Sequence, residues 1–311
     1  MVGVDAHKAS FTYLILQLKE GGSLGEVAQG ELPNTADGYA ELLQALAGQQ
    51  PRVFVVENAR GYALGLSWHL LQQGQQVYDL PATQVATLRR RRQQAKNDTQ
   101  DARLAALAWL EHPTQRCPLR LPTLPLQLQS LTRCREGLVQ QRLSLQQQLV
   151  ALQRQPYALA QVRQSLQVVM QSLSQEIAAL EQSMQTLLEP YRGLQTETGI
   201  GLVSAAVLIG EVQYLERFRD EAAFAAYAAT ASLDHSSGQR QRVKVNPGGN
   251  RRLNRVIELI TWNRLRLDPR TQAYHARKMC EGMARRQATR ATKRQVTRDV
   301  DVYRALCRVL T

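Results

Sequence analysis

The chain has 311 residues, enough for two domains or for one domain with an appendage, and 44% of them are hydrophobic, enough to bury sizeable cores. No run approaches the roughly 18–20 apolar residues that span a bilayer, and Met1-Val-Gly-Val-Asp5 has neither a basic n-region nor an apolar h-region, so neither a membrane protein nor a secretory signal peptide is expected. The net charge of +13 is localised: residues 239–311 hold 19 Lys and Arg against 5 Asp and Glu, whereas the rest holds 20 against 21, which points to a nucleic-acid partner rather than to a merely solvated basic surface.

In chain order, Val2–Asp5 is a short apolar run ending in an acid. Phe11–Leu18 is rich in β-formers, and Glu26–Leu32 follows as a third strand. Thr35–Leu46 has helical spacing, with Asn34 or Thr35 as its cap. Val53–Glu57 is a buried strand that again ends in an acid. A helix at Gly61–Gln73, a strand at Gln76–Leu80, a helix from Thr83 into Arg89–Arg92, and a helix at Asp98–Leu110 complete this part. The order predicts an α/β domain, a mixed sheet with helices on its faces.

Cys117–Pro125 carries three prolines and reads as a linker. Leu126–Leu188 has apolar residues at helical spacing, interrupted at Gln155-Pro156, which predicts two long helices in an antiparallel coiled-coil hairpin. From Tyr191 the chain reads as all-α, with a polar loop over Asp234–Gly249 and basic helices after it. Gly199-Ile-Gly201 looks either like a phosphate-approaching hairpin or like two glycines between helices. Cys117, Cys134, Cys280 and Cys307 form no C-x-x-C pair, so no structural zinc and no disulfide framework is expected, and the compartment is read as a reducing cytoplasm.

Asp5 and Glu57 each end a predicted strand, and Asp98 and Asp101, three apart, share a helix face. Together they supply carboxylates for one or two Mg²⁺ (or Mn²⁺) ions, hard cations that stabilise phosphoryl transfer. Singly, each acid has an ordinary reading: Asp98 as a helix cap, Asp101 as its N3 partner, Glu57 as a turn cap.

Gly3-Val-Asp5-Ala-His-Lys8, Val55-Val-Glu57-Asn-Ala and Lys96-Asn-Asp98-Thr-Gln-Asp101 resemble the motifs of the DEDD transposases of the one-ten insertion-sequence family. Thr198-Gly-Ile-Gly201, Ala222–Tyr227, Ser236-Ser237-Gly238, Gly249-Asn250-Arg-Arg-Leu253, Asp268-Pro269 and Tyr274 resemble its second block, so the resemblance covers nearly the whole chain. It implies a RuvC-like domain of the ribonuclease H fold at 1–115, a linker and coiled-coil helices at 116–190, and a helical, basic transposase domain at 191–311. It further implies recombination guided by a bridge RNA, with Ser237 (or Ser236) as nucleophile beside the metal centre at Asp5, Glu57, Asp98 and Asp101. Departures are Ala229-Thr-Ala-Ser232 where the family has Gly-Leu-x-Pro, Gly248 in place of a basic residue, and Cys280-Glu-Gly282 in place of a Gly-Lys pair.

Expected partners are double-stranded DNA and a guide RNA, held by Arg89, Arg90, Arg91, Arg92, Lys96, Arg240, Arg242, Lys244, Asn250, Arg251, Arg252 and Arg255. A homo-oligomer, dimer or tetramer, is expected through the coiled coil, in a bacterial cytoplasm at the nucleoid. The rivals are a RuvC-like junction nuclease using metal-activated water and a domesticated protein that binds nucleic acid without cleaving it.

Overall fold

The computed structural model describes residues 1–18, 24–48, 52–92, 97–111, 117–155, 157, 159–237, 240–245, 248–300 and 302–310, with backbone alone for residues 18, 83, 232–237, 240–245, 299 and 300. The chain divides into two compact units, Met1–Leu121 and Pro122–Thr311.

In the first unit, β1 (Val2–Ala6), β2 (Ser10–Leu18) and β3 (Leu24–Pro33) form an antiparallel meander. α1 (Ala36–Ala45) follows, and the Thr35 hydroxyl accepts from Gly38 N at its cap. β4 (Val53–Glu57) runs parallel to β1, α2 (Leu64–Gln72) crosses over, and β5 (Gln76–Leu80) lies parallel to β4. The strand order is β3-β2-β1-β4-β5, and α3 (Ala82–Arg91) and α4 (Asp98–Glu111) complete the unit. An antiparallel meander joined to parallel crossovers is the mixed α/β sheet with helices on its faces that the element order predicts.

Strand alternation decides which residues face α4. Val55 packs with Leu80, Val85, Leu88, Leu104, Ala105 and Ala108, so the odd-numbered positions of β4 face α3 and α4. Gly3 faces α4 as well, since a Cβ there would fall onto the Ala102 carbonyl and against the Ala106 methyl. Ala102, Ala105, Ala106 and Ala108 make the inner side of α4 small and fully buried, which lets its backbone approach β1 closely. Asp5 shares the face of Gly3, and Glu57 that of Val55.

In the second unit, α5 (Thr123–Gln153) and α6 (Ala160–Leu187) run antiparallel: Arg135 Nε donates to Glu181 at 2.7 Å and Arg142 to the Ser174 hydroxyl at 3.2 Å, so one helix descends as the other climbs. After a 3₁₀ turn (Glu189–Leu194), α7 (Leu202–Val212) is buried from Ser204 onward. Its Gly210 lies against the Gln129 backbone, where a Cβ would not fit, so the foot of α5 is seated directly on α7. α8 (Glu221–Tyr227) starts at the Asp220 cap, with Ala223 N donating to the carboxylate at 2.7 Å. β6 (Ser232–Ser237) and β7 (Arg240–Val245) pair antiparallel where a loop was expected. Their polar side chains hide the strand signal: Val243 and Val245 are the only β-branched residues in the two strands.

α9 (Arg251–Leu267), α10 (Pro269–Cys280), α11 (Arg285–Gln295), a π-helical turn (Val296–Val300) and α12 (Val302–Leu310) finish the chain. One core joins Leu128 and Met184 from the arm to Leu208, Phe224, Leu253, Ile257, Val302 and Leu306. Among the described residues no helix is long and apolar enough to cross a membrane.

Candidate active site

Register puts Asp5 and Glu57 side by side. Val4 of β1 pairs with Val56 of β4, and the next residue on each strand is the acid. Tight docking of α4 on Gly3 carries its first turn, with Asp98 and Asp101, to the same edge of the sheet. The helix N-terminus there favours negative charge.

The closest grouping is not the four acids. Asp5, Asp98 and His7 offer ligand atoms all within 4.8 Å of one another, a set that includes neither Glu57 nor Asp101. His7 Nε2 lies 3.3 Å from Asp98 Oδ2 and 3.6 Å from Asp5 Oδ2, yet it is a buried atom with no hydrogen-bond partner. An orphaned buried nitrogen between two carboxylates fits a cation. Two hard oxygens with one imidazole nitrogen suit Mn²⁺ at least as well as Mg²⁺.

His7 and the residue that steadies it, Asn34, were not singled out for chemistry from sequence. His7 sits two residues beyond Asp5, the spacing that keeps two side chains on one side of an extended chain, and that spacing was the available signal. His7 N donates to Ser10 O at 2.8 Å in the β1–β2 turn. Asn34 is read as a possible helix cap, but Thr35 takes that role, and the Asn34 amide donates to His7 O at 2.8 Å and Tyr62 O at 2.9 Å. The Tyr39 hydroxyl donates to Asn34 Oδ1 at 2.6 Å, which fixes the amide's orientation. After Glu57, Asn58 adopts a φ of 51°, a left-handed conformation that Asn tolerates, and Ala59 N then donates to Asp79 Oδ1.

Asp101 is deeply buried and ion-paired with Arg89, whose Nη2 lies 2.6 Å from Oδ1 and whose Nε donates to the same oxygen. The basic run is thus divided. Arg89 is consumed by Asp101 and Arg92 pairs with Glu111 at 2.7 Å, while Arg90 and Arg91 are exposed. Lys96 lies outside the described residues.

In the second unit Ser237 ends β6 opposite Arg240, with Ser236 opposite Gln241, His235 opposite Arg242 and Leu233 opposite Lys244. The side chains of these residues lie outside the description. Asn250 and Arg252 serve the fold instead of standing free for nucleic acid. Asn250 caps α9, accepting from Arg252 N and Leu253 N at 3.0 Å, and donates to the buried Glu211 at 2.8 Å. Arg252 pairs with Glu211 at 3.0 Å and also with Glu136, as does Arg255, whereas Arg251 is exposed. Ala229 adopts a φ of 55° where the resembled family has glycine, so that glycine meets a conformational demand which alanine bears here under strain.

Comparison with known proteins bears on both units. A solved structure described as Thermus thermophilus RuvC matches 38% of this chain and 100% of that chain, at 17% identity and a TM-score of 0.29. Among curated proteins none matches. A model for DEDD transposases of the IS110 type, described as "Transposase", matches residues 2–158, which carry Asp5, Glu57, Asp98 and Asp101. A second, described as "Transposase IS116/IS110/IS902 family", matches residues 191–276, which carry Ser237 and the Asn250 cap. With half of its length under the first model and the strand-edge acids in place, the chain belongs to the IS110 family of transposases.

Proposed function

We propose that this chain is a DNA recombinase that cleaves and rejoins insertion-element and target DNA, using a divalent-metal centre and a serine nucleophile under the direction of a guide RNA. The observation that carries the metal centre is the orphaned His7 Nε2 between Asp5 and Asp98. Asp5, His7 and Asp98 would hold the ion, with Glu57 beside Asp5 in register. Asp101 joins them only by giving up Arg89. Mg²⁺ or Mn²⁺, when bound, supplies Lewis-acid stabilisation of the charge that develops on a phosphate under attack.

Ser237 supplies the covalent chemistry. Its hydroxyl loses a proton to a base, the Oγ–P bond forms, and the P–O bond to one DNA strand breaks and leaves that strand a free hydroxyl. Attack by a hydroxyl of another strand on the phosphoserine reverses the step, so each bond made matches one broken and no external energy source is required. Two features support the serine: its place in the second family match and a hairpin carrying Arg240, Arg242 and Lys244. The long α5–α6 arm assembles protomers in this reading, since Val150, Val168 and Val169 are exposed along it.

A suicide DNA substrate that cannot rejoin tests the proposal. The parent chain should form a covalent protein–DNA species, Ser237→Ala should form none, and Asp98→Asn should lose cleavage by at least ~100-fold while still binding DNA. Full strand exchange by Ser237→Ala would point instead to a nuclease using metal-activated water. Binding without cleavage by the parent would point to a silent nucleic-acid-binding protein. Sequencing RNA that co-purifies with the parent tests the guide.

A further inference from the structure

The two ends of the β6–β7 hairpin that carries Ser237 meet at its root. Gly249, just before α9, lies against Ala229, which leads into β6: a Cβ on Gly249 would fall 2.5 Å from the Ala229 Cβ and 2.9 Å from its backbone. Asn250 N donates to Tyr227 O at 2.6 Å, and the Ala225 carbonyl accepts from Thr230 N at 2.9 Å and from Ala231 N at 3.1 Å. The last turn of α8 and the first turn of α9 thus pinch the hairpin between them.

Ala229 adopts a φ of 55°, a region that alanine rarely enters, and such a conformation persists only where its neighbours over-determine it. Asn254 does so. Its side-chain amide donates to Ala228 O at 3.2 Å and to Ala229 O at 2.8 Å. Those carbonyls belong to the two peptide planes on either side of the Ala229 Cα, so holding both fixes φ and ψ between them. Lys293 Nζ, from α11, donates to Asn254 Oδ1 at 2.9 Å and to Glu258 at 3.0 Å. The lysine side chain is 13% exposed, so water competes little for these bonds. An ammonium on one side and two carbonyls on the other leave the amide one satisfactory orientation. Asn250, Asn254 and Glu258 recur every four residues, so one row of α9 carries the helix cap, the clamp on Ala229 and the carboxylate that steadies Lys293.

We propose that Asn254 is a positioning residue for the Ser237 hairpin: by fixing the peptide planes around Ala229 it sets the direction in which β6 leaves the helical body. The leverage is long. At a rise of ~3.3 Å per residue, Ser237 at the far end of β6 stands ~17 Å from Ser232. A swing of ~10° at the root therefore moves the serine by ~3 Å, where a misplacement of ~1 Å already costs ~100-fold in rate. The proposal rests on the reading of the chain as a recombinase with a serine nucleophile.

The test uses the full chain and a suicide duplex, with the single-turnover rate of covalent protein–DNA formation measured across DNA concentrations. Asn254→Asp keeps the shape of the side chain and its acceptor for Lys293, but cannot donate to the two carbonyls. Its rate at saturating DNA should fall at least ~100-fold, while the half-saturating concentration changes by less than about twofold. Adding Ala229→Gly should recover at least about tenfold of that loss, because glycine holds a positive φ without a clamp. A merely structural role predicts the reverse, since a second substitution would compound the damage. Lys293→Met leaves Asn254 in place but frees its amide to turn, and should lower the saturating rate about tenfold, so the proposal stays testable even where Asn254→Asp fails to fold. An unchanged saturating rate in both single variants, a loss shared equally with DNA affinity, or a double variant no faster than Asn254→Asp would each overturn the clamp. A parent chain that forms no covalent species would overturn the serine reading itself. A parent that forms it, beside a Ser237→Ala variant that does not and an Asn254→Asp variant as fast as the parent, would overturn the clamp alone.

Discussion

His7 stands between two carboxylates with its Nε2 buried and unbonded, so its removal separates a metal ligand from a bystander. His7→Gln keeps a polar side chain of similar reach and leaves the Asn34 bond to the backbone carbonyl untouched. Calorimetric titration with Mn²⁺ should show affinity falling by at least about tenfold, the cost typical of disturbing a metal's immediate surroundings. Unchanged affinity would remove His7 from the centre and return the burden to Asp5 and Asp98. The two acids were legible because each begins or ends an element with a clear period. His7 lies just past the end of β1, so its two-residue spacing from Asp5 was the one signal in the sequence, and its approach to Asp98 depends on α4, an element far along the chain. The Arg89–Asp101 pair was hidden for a similar reason: both residues sit in helices read correctly, but their meeting depends on how α3 packs on α4, which periodicity does not encode.

Among the elements, α4 positions the site, and Gly3 positions α4. A Cβ at Gly3 would collide with the Ala102 carbonyl, which is backbone and cannot rotate away, so Gly3→Ala must push the helix off the sheet. Overpacking of this kind costs about 1–3 kcal/mol. Urea denaturation should show that loss, and divalent-metal affinity should fall with it, because Asp98 moves with α4 while Asp5 stays on β1. Lost stability with intact metal affinity would mean that Asp98 is not held by this docking. Element order in the first unit was readable because β1 and β4 are short, largely apolar runs and α1 has clear helical spacing. The β6–β7 hairpin was not readable, because cross-strand pairing stabilises strands whose own residues, Ser, Asp, His, Gln and Arg, have little preference for extended structure. Asn250 shows the converse. Its position before a helical run and after glycine is that of a cap, and its amide locks α9 to the buried Glu211 of α7, a role beside the nucleic-acid contact expected of it.

Over the whole molecule, the excess of positive charge in the last quarter is a property of sequence alone, but the nucleic-acid footprint is not. Ion pairing within the fold removes Arg252, Arg255, Arg264, Arg298 and Arg308 from the simple count, since each faces a carboxylate of its own unit. Arg285 and Arg286 at the start of α11 are exposed, as is Arg251. A contact with phosphate releases counterions, and each one lost should flatten the slope of log K against log salt by ~0.9 for duplex DNA. Arg285→Ala with Arg286→Ala should therefore reduce the slope by close to two such steps if both arginines touch the backbone, with folding unaffected. Arg252→Ala should leave the slope nearly unchanged and instead destabilise the second unit by about 3 kcal/mol, because Glu211 is buried and loses a charged partner. The pair of measurements distinguishes arginines that hold DNA from arginines that hold the fold. The opposite pattern, a slope insensitive to Arg285 and Arg286 but steeply reduced by Arg252→Ala, would place the footprint at the foot of α9 and overturn this division of the basic residues.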